Sequence, residues 1–296
     1  MEWDNLRYFL ELSRAGKLTV AARRLGVDHT TVSRRVQALE KSMDTPLFIR
    51  AAAGYSLTEA GRNLVPRAEA MESAFSAIER SHPGHKDSLS GQVRIGVTEG
   101  YGTVMLAPQL AEFTRRYPNL GVDLLAAPRM VQLSRREADI VITLERPERG
   151  PFIITKLTDY TLRLYASADY LQQHAAIRSR EDLRVHGFVS YIDDLLFSKE
   201  LLFLDEIGKP GHVPLRSTSI LAQQQATIAG AGIAMLPSFS ADADPRLQRV
   251  LGEEVRFTRT FWMLMPIELK DIARMRAAWD FLREMAQAHQ AVLMGA

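Results

Sequence analysis

Apolar positions recur at helical spacing through the first forty residues of the chain. Leu6, Phe9 and Leu10 form the inner stripe of a helix predicted from about Asp4 to Ala15, with Trp3 near its start and Gly16 ending it. The next stretch, LTVAARRLGVDHTTVSRRVQ at residues 18–37, reads as two short helices on a tight turn. Thr19 is placed to cap the first, Ala21 and Ala22 allow close packing, Gly26 supplies a left-handed turn residue, and Asp28 caps the second. Val32, Val36 and Leu39, four and three apart, turn one face inward. At roughly 100° per residue, Thr30, Ser33, Arg34 and Gln37 share the opposite face. Any solvated helix has a polar outer face; donors, acceptors and a guanidinium at a helix N-terminus also suit the major groove.

Pro46 to Thr58 reads as a two-stranded wing, with Leu47–Ile49 as one arm, Ala51–Gly54 as the tip and Tyr55–Leu57 as the other arm. From Leu57 the positions Ala60, Leu64, Ala68, Met71, Phe75 and Ile78 continue at threes and fours, close to a heptad seam. Such a seam pairs with a second copy or packs as a core helix on its own body. Pro66 inside it predicts a kink. HPGHKDSLSG at residues 82–91 breaks the periodicity and predicts a hinge; His82 and His85 are read as loop residues, not metal ligands. Beyond it, alternating Val93, Ile95 and Val97 predict a strand, and Leu106, Leu110, Phe113 and Tyr117 a helix closed by Pro118. Further strands are predicted at 122–125, 139–144, 161–166, 188–191 and 260–265, with a last helix at 273–288. This rhythm is that of an α/β domain with a parallel sheet and crossover helices, its chain leaving one lobe and returning.

The 46% hydrophobic and 24% charged content is ordinary for a globular chain, and 296 residues suffice for two cores. The net charge of +2 announces no partner, but eight basic residues stand against three acidic ones between Arg14 and Arg50. The absence of cysteine excludes a disulfide framework, thiolate metal ligation and a thiol nucleophile. The acidic start MEWDNLRYFLEL is unlike a signal peptide, and no run approaches the roughly 20 apolar residues of a membrane span, so a cytoplasmic protein is expected.

Leu6, Phe9, Ala15, Gly16, Ala21, Ala22, Leu25, Leu39, Glu40, Leu47, Phe48, Arg50, Leu57, Thr58 and Gly61 together resemble the winged helix-turn-helix of LysR-type transcriptional regulators. GQVRIG at residues 91–96, LAPQLAEFTRRYP, ADIVITL and IAGAGIAMLP resemble that family's effector-binding domain, whose fold is like periplasmic binding proteins. The resemblance implies an all-α winged helix-turn-helix (1–58), a dimerising linker helix (59–81), a hinge (82–90) and a two-lobed α/β domain (91–296). Lobe I would take about 91–160 and 266–296, and lobe II about 161–265. It implies a regulator of promoter DNA, acting as a homodimer or a dimer-of-dimers tetramer and altering promoter bending and RNA polymerase access. Arg23, Arg34, Arg35 and Arg50 would meet phosphates, His29, Thr30, Ser33 and Arg34 would read bases, and Thr31 and Gln37 would also lie at the DNA. The three alanines at the wing tip, residues 51–53, imply weaker wing contacts than in many relatives.

The same resemblance places a small-molecule effector, with no cofactor or metal, between the lobes. Thr98, Glu99, Gly100 and Tyr101 stand where a strand ends at a helix N-terminus, and Gly100 and Gly102 would admit the effector to backbone amides. Thr143, Ser190, Tyr191, Ser217, Thr218 and Leu236–Ser238, with Pro237 at its centre, match other cleft segments; each hydroxyl could equally make a local cap or turn bond. Glu99 has two readings. It complements the helix dipole, or it selects a neutral or cationic ligand in a family where many effectors are carboxylates. An enzyme is disfavoured because no GxSxG, Walker A, GxGxxG or HExxH pattern occurs. An architectural DNA binder without an effector is the alternative.

Overall fold

The computed structural model describes residues 3–51, 54–80, 89–127, 137–148, 150–207, 211–252 and 254–296, and within these all side chains except those at 3, 51, 70, 73–80 and 205. The chain divides into two compact units, one of residues 1–87 with Glu268–Ala273 and one of residues 88–267 with 274–296. His82, His85, most of the expected hinge, and the tip residues Ala52 and Ala53 lie outside the described residues.

The N-terminal unit contains α1 (Trp3–Ala15), α2 (Leu18–Leu25), α3 (His29–Met43), β1 (Phe48–Ala51), β2 (Gly54–Leu57) and α4 (Glu59–Arg80). Gly26 ends α2 at φ 67°, and the Asp28 side chain caps α3, as the sequence predicts. Thr19 does not cap α2: the helix starts one residue earlier, and the flanking Lys17 makes no side-chain cap bond. Phe9, Leu10, Leu39 and Leu47 are buried together, and Leu12, Ala21, Val32 and Val36 form a second cluster. Leu57, Ala60, Leu64 and Ala68 pack against the first cluster. The first half of the seam therefore belongs to the chain's own core, because α1 supplies the apolar partner that the periodicity alone left open. Arg14 reinforces this seat, its guanidinium lying 2.8 Å from Glu72 and 3.3 Å from Glu69. Further along α4 Met71 is exposed; the side chains of Phe75 and Ile78 lie outside those described. The helix is continuous through Pro66.

β1 and β2 form the antiparallel wing in the register Phe48↔Leu57 to Ala51↔Gly54. Glu40 on α3 fixes its entry: one carboxylate oxygen accepts from the backbone N–H groups of Leu47 and Phe48, at 2.7 and 3.1 Å. Thr58 accepts from the Gly61 N–H and so caps α4.

The C-terminal unit carries β3 (Gly91–Thr98), a π-helical turn (Tyr101–Leu106), α5 (Ala107–Arg116), β4 (Leu120–Ala127), β5 (Ile140–Thr143), β6 (Phe152–Ser167) and α6 (Ala168–Gln173). After these come β7 (Gly187–Ser190), α7 (Leu204–Ile207), β8 (His212–Arg216), α8 (Ile220–Ile228), β9 (Ile233–Pro237), α9 (Ser238–Ala241), β10 (Leu247–Val250), β11 (Arg256–Pro266), α10 (Ala273–Ala288) and α11 (Gln290–Met294). Among the described residues the sheet order is β4-β3-β5-β11-β6-β9-β7-β8, with β10 also paired to β6. The sheet is mixed, not parallel throughout: β3 runs parallel to β4 and β5, and β7 to β8 and β9, whereas β6 and β11 are antiparallel to each other. These two long strands join both ends of the sheet, and their register shifts at Phe261/Trp262. α10 packs on α5 through Phe281 and Phe113, with Arg116 2.7 Å from Glu284. α11 lies elsewhere. Gln290 accepts from Thr158 on β6, in the segment expected as lobe I, and the Gly295 carbonyl accepts from Arg249 on β10, in the segment expected as lobe II.

His186, 1% exposed, contacts the Tyr170 hydroxyl at 3.2 Å, and Tyr170 stacks on His174. Burial, and then the neighbouring His174, pull the His186 pKa below the usual histidine value. Its unfolded form therefore binds a proton first, and stability is lost as pH falls below about 6.5. A urea midpoint that falls between pH 7.5 and pH 5, with a smaller fall in His186→Gln, is expected; equal falls would mean that His186 does not set the pH dependence.

Candidate functional site

One face of α3 is buried through Val32, Val36 and Leu39, while His29, Thr30, Arg34 and Gln37 are exposed and Thr31 and Ser33 half-buried. Asp28 Oδ1 accepts from the Thr30 N–H at 2.8 Å and from the Thr30 hydroxyl at 2.6 Å, and both bonds hold the carboxyl below the usual carboxylate range. With its hydrogen donated to Asp28, the Thr30 hydroxyl keeps its lone pairs as acceptors. Arg23 on α2 and Arg50 in the wing are exposed. Arg35 is turned differently. It lies 3.6 Å from Asp4, donates to Asn5 and sits 5.9 Å over the Tyr8 ring, tying α3 to α1.

In the C-terminal unit, Thr98, Glu99, Gly100, Tyr101, Tyr191, Thr218 and Pro237 line one cavity of about 40 Å³. Thr143, Ser190 and Ser217 do not. Thr143 is paired with Trp262 in the sheet, and the Ser190 carbonyl accepts from the Ser217 N–H while the Ser217 hydroxyl accepts from the Ser219 N–H. Ser190 borders an adjoining open groove of about 600 Å³ beside β8, which shares Tyr191, Leu201 and Phe203 with the cavity wall. The small size of the two glycines also serves packing: a Cβ on Gly100 would meet Ile220 at 2.9 Å and one on Gly102 would meet Val97 at 2.5 Å.

Most of the cavity wall was not singled out in the sequence: Leu144, Tyr160, Leu162, Phe197, Leu201, Phe203, Ile220, Phe239 and Phe261. Tyr160 stacks on Phe261 at 4.2 Å, and Tyr101 lies 4.5 Å from the same ring. Burial pushes the hydroxyls of Tyr101, Tyr160 and Tyr191 up, Tyr191 further through Glu99, so all three are neutral. Glu99 Oε1 accepts from the Ser219 hydroxyl at 3.0 Å, and Ser219 in turn accepts from the Ala222 N–H to cap α8. Its carboxylate thus links the end of β3 to the start of α8. Oε2 of Glu99 and the Tyr101 hydroxyl are buried and have no hydrogen-bond partner among the described residues.

A family model for the LysR substrate binding domain matches residues 86–287, and one for the bacterial regulatory helix-turn-helix protein, lysR family, matches residues 3–62. The chain belongs to the LysR family of transcriptional regulators. It is similar to the HTH-type transcriptional regulator CrgA of Neisseria meningitidis serogroup C (strain 8013), 26% identical over 293 residues, which span 95% of this chain and 96% of that one. The Mau operon transcriptional activator of Paracoccus denitrificans is 29% identical over 284 residues, 94% and 95% of the two chains. The solved structure of CrgA superposes with a TM-score of 0.59 at 25% identity, over 97% of this chain and 99% of that one. A full-length OxyR from Pseudomonas aeruginosa, 18% identical over 97% and 98% of the chains, shares the fold with a TM-score of 0.67. The LysR family comprises transcriptional regulators, not enzymes. Among the described residues no helix is long and apolar enough to cross a membrane.

Proposed function

We propose that this LysR-family chain reads promoter DNA through the outer face of α3 and couples that binding to a small molecule in the aromatic cavity. The observation that carries the reading is a helix with one face wholly buried and Thr30, Arg34 and Gln37 exposed on the other, at the end capped by Asp28. His29, Thr30, Thr31, Ser33, Arg34 and Gln37 face bases, while Arg23, Arg34 and Arg50 reach phosphates. Arg35 contributes by holding α3 on α1. A homodimer forms along α4 beyond Ala68, where Met71 is 45% exposed, and two dimers assemble on one operator in the cytoplasm. The effector enters between lobes joined by β6 and β11. Its closure shifts the dimer arrangement on DNA, and with it DNA bending and RNA polymerase access.

The test is a thermal-shift screen of the full chain, followed by DNA titration with each stabilising compound. A compound that raises the melting temperature, loses that effect in Thr218→Phe, which fills the cavity, and changes DNA affinity at least about fivefold is the expected result. Stabilisation unchanged in Thr218→Phe would place the ligand elsewhere. No stabilisation across acids, amines and neutral metabolites would favour an effector-blind DNA binder.

A further inference from the structure

We propose that the cavity selects a compact organic ammonium ion, with Glu99 as its counter-charge and the surrounding rings as its cage. This rests on the reading of the cavity as the effector site.

Charge comes first. Of the sixteen residues in the wall, Glu99 alone carries a formal charge, so a carboxylate ligand would meet a like charge and no cation. Arg259, whose charge acts on Tyr160 from outside the wall, is already engaged: it lies 2.7 Å from Glu200 and 2.5 Å from Glu206. That cluster is net negative and does not offset Glu99.

Hydrogen bonding points the same way. Ser219 holds Glu99 Oε1, which fixes the carboxylate and leaves Oε2 buried without a donor. A buried carboxylate oxygen lacking a donor is costly, and an ammonium N–H is the donor that removes both the missing bond and the uncompensated charge. Tyr101, 1% exposed, also leaves its hydroxyl without a partner in the same wall, and that oxygen can accept a second N–H.

The rings complete the site. Tyr101, Tyr160, Phe239 and Phe261 form one contiguous cluster, with centroid separations of 4.2 to 6.2 Å. Such a ring cluster in the wall favours a desolvated cation over an anion, and the tyrosines, held neutral, add no opposing charge. A room of about 40 Å³ admits an ammonium head with a short alkyl body.

The experiment measures melting of the full chain with methyl-, ethyl- and propylammonium chloride, the sodium salts of the matching short carboxylic acids, and the matching alcohols, at constant ionic strength. Stabilisation by the ammonium ions alone, lost in Thr218→Phe and weakened about tenfold in affinity by Glu99→Gln, is expected. Discrimination between ammonium and carboxylate by the unaltered chain keeps the test decisive should Glu99→Gln fail to fold. Stabilisation by carboxylates that is lost in Thr218→Phe would overturn the ligand class and leave the effector site standing. Ammonium stabilisation that persists in Thr218→Phe would overturn the site itself, and no stabilisation by any ammonium would overturn the proposal.

Discussion

Gly54→Ala is expected to cost the N-terminal unit about 3 kcal/mol, enough to remove most of the stability of a small domain. Two effects combine. Gly54 sits at φ 136°, a conformation L side chains rarely adopt, and a Cβ there would lie 2.3 Å from the Gly16 carbonyl oxygen. That oxygen cannot retreat freely, because it accepts from the Tyr55 N–H at 2.8 Å and so pins the wing to the turn between α1 and α2. Gly26 is the control. It is also left-handed, at φ 67°, but nothing lies within 4 Å of its Cβ position, so Gly26→Ala should cost only about 1 kcal/mol. Urea unfolding of both variants checks the order. Equal losses would mean that backbone conformation alone, and not the packing of the wing, sets the cost.

Arg34→Ala is expected to weaken binding to a specific duplex by roughly 10- to 100-fold while changing nonspecific binding much less. The reason lies in where the side chain stands. Arg34 is exposed one helical turn after Thr30, on the face opposite Val32 and Val36, and no ion pair to it is seen among the described residues. One bidentate contact to a guanine edge is worth about 1–3 kcal/mol, which sets the expected range. Arg50→Ala provides the contrast. An arginine that meets only phosphate should weaken all sequences alike and reduce the salt slope by about 1. Titrations at two salt concentrations, on specific and random duplexes, separate the two roles. A uniform loss in Arg34→Ala would demote it to a phosphate contact.

The N-terminal fold was legible because its instructions are local. Val32, Val36 and Leu39 declare a face, Gly26 and Asp28 declare the turn and cap, and these act within a few residues. What periodicity does not carry is the identity of the partner. The positions Leu57, Ala60, Leu64 and Ala68 have the same spacing whether they meet a second copy or α1, and the tie from Arg14 to Glu72 comes from 58 positions away in the chain. The cavity shows the same limit. Its floor, Thr98 to Tyr101, was visible as a strand end meeting a helix start. Its aromatic wall is assembled from residues between 160 and 261, brought together only by the crossing strands and by the stretch around Phe197 and Phe203, which has no motif of its own. Glu99 was posed as a choice between dipole and ligand. Neither reading contained its bond to Ser219, 120 residues on, and that long-range contact is what holds one carboxylate oxygen while the other stays without a donor.

Selection of bound duplexes from a randomised pool tests most directly whether the outer face of α3 reads a defined DNA sequence. The full chain is predicted to enrich one motif of two related half-sites about one helical turn apart, or a multiple of that, and the double variant Ser33→Ala, Arg34→Ala to lose the enrichment while still binding DNA at low salt. No enriched motif with the unaltered chain, or the same motif retained by the double variant, would contradict that role for α3.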